Sequence, residues 1–215
     1  GGYSEVKQYS HTNNINFTAN KFVFTIEDPR PWSPSNPQLY TVTLKLKTDT
    51  MDESVSFKTG LRTIAVKNDR IFLNGKPVFL KGISKHEDDP ILGATQNRNT
   101  IQRDLSLIRK MNANYIRMAH YPHDVDELKA ARDRGMLVSE EIAMYQAGMG
   151  FTGWYNENKS IFEFPFKTFG PKQLYNRTLI TNAQRELVEM IERSRNNPAI
   201  IFWSVGNENY TLYQQ

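Results

Sequence analysis

Apolar and polar positions alternate with two different periods along this chain. In "QLYTVTLKLKT", Tyr40, Val42, Leu44 and Leu46 alternate with Thr41, Thr43, Lys45 and Lys47. That period of two predicts a half-buried strand. "NKFVFTIEDP" and "VSFKTGLRTIAV" have strand composition as well. Between the first two lies "DPRPWSPSNP", too rich in proline for a helix or an inner strand. Residues 1–67 therefore read as the C-terminal part of an antiparallel β-sandwich, with too few strands for a whole one.

From residue 68 the pattern changes. "IFLNGKPVFL" predicts a hairpin turning at Asn74-Gly75. Short apolar strands then alternate with helices: "KPVFLKGIS", "NYIRMAH", "MLVSEE" and "AIIFWSV" are the strands. In the first helix, Ile101, Leu105 and Ile108 fall on one face, with Asn99 and Gln102 as the expected capping pair. In the second, Asp124 and Glu127 have capping-box spacing and Gly135 suits a left-handed exit. The third is expected to start at Thr181, capped with Gln184. Repeated strand–helix units imply right-handed crossovers and a parallel sheet. No glycine-rich phosphate turn follows the first strand, so a doubly wound fold is disfavoured. Residues 68–215 read as the N-terminal half, strands one to four, of a (β/α)₈ barrel.

Titratable side chains gather at the carboxyl ends of those strands. His86, Glu87 and Asp88 follow the first, and Arg117, His120 and Tyr121 the second. Glu140 and Glu141 close the third, and Asn207 and Glu208 follow the fourth. A barrel brings these ends to one face, where active sites form. Arg117 also has a structural reading, as ion-pair partner of Glu141 or Glu208. Asp124 and Glu127 read as caps. Tyr145, Phe151, Trp154 and Tyr155, spaced by glycines, read as packing or as a wall over the site.

Composition narrows the classes. The 215 residues hold 27 Lys and Arg against 23 Asp and Glu, a formal charge of +4 without a basic stripe. A nucleic-acid partner is not expected. The absence of cysteine excludes disulfides and thiolate metal sites. "HED" and "HYPHD" lack the helical histidine spacing of zinc proteases, so no metal site and no cofactor are assigned, while hard-cation binding by the carboxylates stays open without a motif behind it. No apolar run has the ~20 residues of a membrane span, and the N-terminus has no signal pattern. The compartment stays open, as does assembly into a homo-oligomer.

At its strand ends the sequence resembles glycoside hydrolase family 2, the group of β-galactosidases, β-glucuronidases and β-mannosidases. The matching pieces are "PWSPSNPQLY", "KTGLRTIAV", "FLNGKPVFLKGISKHEDDP", "MNANYIRMAHYPH", "RGMLVSEE" and "NNPAIIFWSVGNEN". "KHED" resembles the β-glucuronidase branch more than the β-galactosidase branch. The resemblance implies an immunoglobulin-like sandwich, a catalytic barrel and a retaining exo-β-glycosidase acting on a carbohydrate. It implies that Glu208 is the general acid/base and that Asn207 contacts the sugar 2-hydroxyl. It places His86, Glu87, Arg117, His120, Tyr121 and Glu141 toward the sugar. The nucleophile of such an enzyme comes from a later strand, so the rest of the barrel is expected from a longer chain, and this segment alone is expected to be inactive. The alternative is a non-catalytic carbohydrate-binding or assembly fragment of the same fold.

Overall fold

The computed structural model describes residues 25–144 and 177–207. Nine strands and three helices run through them: β1 (Tyr40–Lys47), β2 (Asp52–Thr59), β3 (Ile64–Lys67), β4 (Arg70–Leu73), β5 (Lys76–Val78), β6 (Gly82–Lys85), α1 (Arg98–Lys110), β7 (Tyr115–Met118), α2 (Val125–Asp133), β8 (Leu137–Glu141), α3 (Arg177–Ser194) and β9 (Ile200–Ser204). Among the described residues no helix is long and apolar enough to cross a membrane.

β1 and β2 form an antiparallel ribbon in which Val42 opposes Phe57 and Leu44 opposes Val55. The alternation is there, yet Leu44, Leu46, Val55 and Phe57 remain exposed among the described residues. β3, β4 and β5 form a second antiparallel sheet. Its Asn74-Gly75 turn has φ of 51° and 75°, as the hairpin signal predicts. "KPVFLKGIS" is not one strand: Lys76–Val78 belongs to this hairpin, and only Gly82–Lys85 enters the next sheet.

That next sheet is parallel, and its strands lie in sequence order, β6-β7-β8-β9. A doubly wound sheet reverses direction at a switch point, whereas a barrel adds each strand beside the last. The sheet is thus a barrel-like region. Its outer side packs on the helices, with Ile116, Met118, Val138, Leu105, Ile108, Leu128 and Met190 buried. Ile101, Leu105 and Ile108 face the core as predicted.

The helix caps differ from expectation. Asn97, not Asn99, caps α1: its side chain accepts the Asn99 and Thr100 N–H groups, and Thr100 reciprocates. Both pairs have the same i, i+3 spacing, so spacing could not separate them. Asp124 caps α2 by accepting the Asp126 N–H, but Glu127 turns inward to other partners. Thr181 lies inside α3, which already runs from Arg177.

The first strands are fastened to the barrel-like region at several points. Trp32 is fully buried and donates its indole N–H to the Arg132 carbonyl. Arg62 donates to the Pro198 and Ile200 carbonyls, both at 2.6 Å. Gly135 has φ of 69°, and a Cβ there would lie 2.3 Å from the Pro34 oxygen. No other residue suits both demands.

Candidate active site

Side-chain direction in the parallel sheet follows the strand period of two. Tyr115 and Arg117 on β7, Ser139 and Glu141 on β8, and Phe202 and Ser204 on β9 share the inner face, as their mutual contacts show. A register shift beside Val138 and Ser139 brings Ile200 opposite Val138 but Phe202 opposite Ser139. This bulge pairs Glu141 with Ser204 rather than with a residue of the opposite face.

Glu141 is the hub of the inner face. Its side chain is fully buried, and its Oε2 accepts from Arg117 Nη2 at 2.8 Å, Arg117 Nε at 3.1 Å and Ser204 Oγ at 2.7 Å. Its Oε1 lies 2.7 Å from His120 Nδ1. Arg117 Nη2 also donates to Asn207 Oδ1 at 2.9 Å. Burial alone would raise the pKa of Glu141. The hydrogen bonds from Ser204, Arg117 and His120, with the Arg117 charge, outweigh it and hold the group below the ordinary carboxylate range. Glu141 is therefore an anion that fixes its neighbours.

Its chain neighbour Glu140 points to the other face, where Arg193 of α3 pairs with it. Burial, the largest influence, pushes Glu140 above the ordinary range despite Arg193. The acidic pair at the end of β8 thus separates into one group for the pocket side and one for the helix layer.

An open cavity of about 420 Å³ lies beside this cluster, lined by His86, His120, Tyr121 and Ala143. The His86 and His120 rings meet edge to face at 5.0 Å, and His86 and Tyr121 are 5.8 Å apart. Tyr121 Oη accepts the Glu87 N–H, while Glu87 Oε1 accepts the Asp124 N–H. These two bonds tie the loop after β6 to the loop after β7.

Of the residues expected at the site, Arg117, His120, Glu141 and Asn207 are in one hydrogen-bonded cluster, and His86 and Tyr121 line the adjoining cavity. Glu87 is the brace between their loops. Glu208 lies outside the described residues, as do Tyr145, Phe151, Trp154 and Tyr155. Ser204 and Ala143 were not anticipated. Strand parity could have found Ser204, which lies two residues beyond Phe202 on the inner face.

Among the described residues, one trio brings metal-type ligand atoms within 4.8 Å of one another: Glu87, His123 and Glu127. Glu127 already faces the Lys85 ammonium at 2.9 Å, and Glu87 holds a backbone N–H. A cation there would compete with one already in place, so the trio does not fit a metal.

Comparison with known proteins decides the family. The model of the glycosyl hydrolases family 2 TIM barrel domain matches residues 64–215, and a second model, glycosyl hydrolases family 2, matches residues 2–62. The chain belongs to glycosyl hydrolase family 2. It is 34% identical over 200 residues to a putative β-glucuronidase of Formosa agariphila, covering 92% of this chain and 21% of that protein. It is 32% identical over 188 residues to a β-galactosidase of Priestia megaterium, covering 86% and 17%. A β-glucuronidase from Ruminococcus gnavus, solved in complex with an N1-substituted uronic isofagomine, superposes with a TM-score of 0.70 at 28% identity, over 87% of this chain and 29% of that one. This family 2 chain thus spans about a fifth of the length of the curated relatives it matches.

Proposed function

We propose that this chain is part of a retaining exo-β-glycosidase, in which it supplies the general acid/base and much of the sugar pocket. The observation that carries the reading is the Arg117–His120–Glu141–Asn207 cluster, gathered at the carboxyl ends of successive parallel strands beside an open cavity. Family 2 membership and the glycosidase names of the relatives support it.

Cleavage of a glycosidic bond needs an acid for the leaving oxygen and a carboxylate nucleophile about 5–5.5 Å away. Glu208, next in sequence to Asn207, is the proposed acid/base. The nucleophile is proposed to come from outside these residues. A neighbouring anionic nucleophile keeps the acid protonated. Once the glycosyl-enzyme forms, that anion is consumed and Glu208 can act as base. Asn207 gives its oxygen to Arg117, which leaves its Nδ2 as the donor toward a sugar hydroxyl. Bonds to the 2-hydroxyl tighten in the transition state, where they lower the barrier. Arg117, His120 and Glu141 fix that orientation in advance. His86, Tyr121 and Glu87 complete the proposed substrate-facing set. The first domain is proposed to be immunoglobulin-like. Its boundary is proposed at residues 67 and 68, within the sheet that β3 shares with β4 and β5.

The test is Glu208→Gln in the full-length enzyme, assayed on aryl β-glucuronides and aryl β-galactosides. Turnover is expected to fall by about 10²–10⁴-fold, and added azide is expected to restore part of it for substrates with good leaving groups. Azide needs no general base, whereas water does. Full activity in the variant would remove Glu208 from the mechanism.

A further inference from the structure

A second polar cluster occupies the opposite face of the sheet, and the mechanism above does not use it. Lys85 Nζ, at the end of β6, lies 2.9 Å from Glu127 Oε1 and 3.6 Å from Asp104 Oδ2. His123 Nδ1 lies 3.0 Å from Glu127 Oε2, and His123 Nε2 lies 3.0 Å from the Ala119 carbonyl oxygen. His123 and Glu127 are both fully buried.

The two ring nitrogens of His123 therefore face two acceptors. A carbonyl can only accept, and an ionised carboxylate can only accept. A neutral imidazole has one N–H, so one contact would set lone pair against lone pair at 3.0 Å. Moving the proton to Glu127 does not fit its surroundings. The Lys85 ammonium lies 2.9 Å from Glu127 Oε1, and a cation that close favours the ionised carboxylate.

We propose that His123 is a buried imidazolium that acts as a positioning residue, gripping the Ala119 carbonyl and so setting the next residue, His120, against Glu141. The positioning role rests on the glycosidase reading, while the protonation state stands on geometry alone. Charged groups reach the ring's surroundings from every element packed against it. Asp104 comes from α1, Glu127 from α2 and Glu140 from β8. Lys85 comes from β6, and Arg193 of α3 donates to the His123 carbonyl at 3.3 Å. The Tyr121 ring, from the same loop, lies 5.1 Å away at a tilt of 33°. Arg103 of α1 pairs with Asp104 at 2.9 Å, Lys85 with Glu127 and Arg193 with Glu140.

Neutron diffraction from crystals of the full-length enzyme near pH 7 tests the protonation directly. Deuterium on both His123 nitrogens is expected, and a ring with one would overturn the proposal. The positioning role is tested with Glu127→Gln in the full-length enzyme. The amide still accepts from Nδ1 but no longer holds the ring's charge. At about pH 8, above the ordinary imidazole pKa of ~6.5, kcat/KM is expected about ten- to hundredfold below the parent. The ratio of variant to parent should climb toward one by about pH 5.5, as protonation returns. A deficit that does not change with pH would mean that Glu127 and His123 merely hold the fold. The neutron result needs no activity. An enzyme inert on every β-glycoside, yet with both nitrogens deuterated, would sink the functional reading and leave the imidazolium in place.

Discussion

On the inner face of the parallel sheet, Arg117, His120 and Glu141 meet beside an open cavity. On the outer face, Lys85, His123 and Glu127 make a set of the same composition: one cation, one histidine, one glutamate. Their surroundings differ. The Arg117 side chain is 36% exposed and that of His120 18%, whereas Lys85 is 9% exposed and His123 not at all. Water and a ligand can share the inner set, but every charge in the outer one must be satisfied by protein. The difference teaches that residue types do not make a site. The face of the strand decides whether a triad meets substrate or supports what does.

Removing one member of the outer set should be the most damaging change. Lys85→Ala leaves the Glu127 carboxylate buried without its ammonium, and breaking such a pair costs about 3–5 kcal/mol. A large fall in the thermal midpoint of the full-length enzyme is expected, and an unchanged midpoint would contradict the sealed character of the cluster. Next in size, and on the other face, Glu141→Gln should act on catalysis more than on folding. Arg117, His120 and Asn207 lose their anchor, and kcat/KM should fall about 10²–10³-fold, with a smaller midpoint shift than Lys85→Ala gives. If the two variants changed midpoint and activity in equal proportion, the contrast between the faces would be false.

The smallest effect separates two acids of the outer layer by sign. Glu127 is depressed, so its contribution is fully present above the unfolded pKa of ~4.3 and is lost as pH falls through its lower folded value. Glu140 is raised, chiefly by burial, so its contribution is present below ~4.3 and is lost as pH rises toward its folded value. Glu127→Gln should therefore flatten the pH dependence of the urea midpoint below ~4.3, and Glu140→Gln should flatten it above. Flattening on the same side in both variants would refute the assignment.

Much of the inner site was legible, because strand ends can be read from short apolar runs, and barrel geometry brings the residues after them together. Arg117, His120, Glu141 and Asn207 follow from that rule. The outer set was not legible. Glu127 stands three residues after Asp124, the spacing of a capping box, and its real partner Lys85 is far away in sequence. Only packing brings the two together. Asn97 was missed for a related reason, since Asn99 offers the same side chain and a partner at the same interval. Ser204 needed only strand parity counted from Phe202, since the register shift lies before Phe202 and leaves the rest of β9 regular. The alternation of β1 was read correctly as a strand, but nothing described here covers its apolar side.

The guanidinium of Arg62 reaches from the first strands to two carbonyls at the root of β9, the strand that leads to Asn207. In mechanical terms it is a rivet between a handle and a working edge. A pull or a twist on the N-terminal part of the molecule would be passed through this contact to β9. A barrel expressed without that part would lose the rivet and keep its pocket residues, with the strand beneath them free to shift.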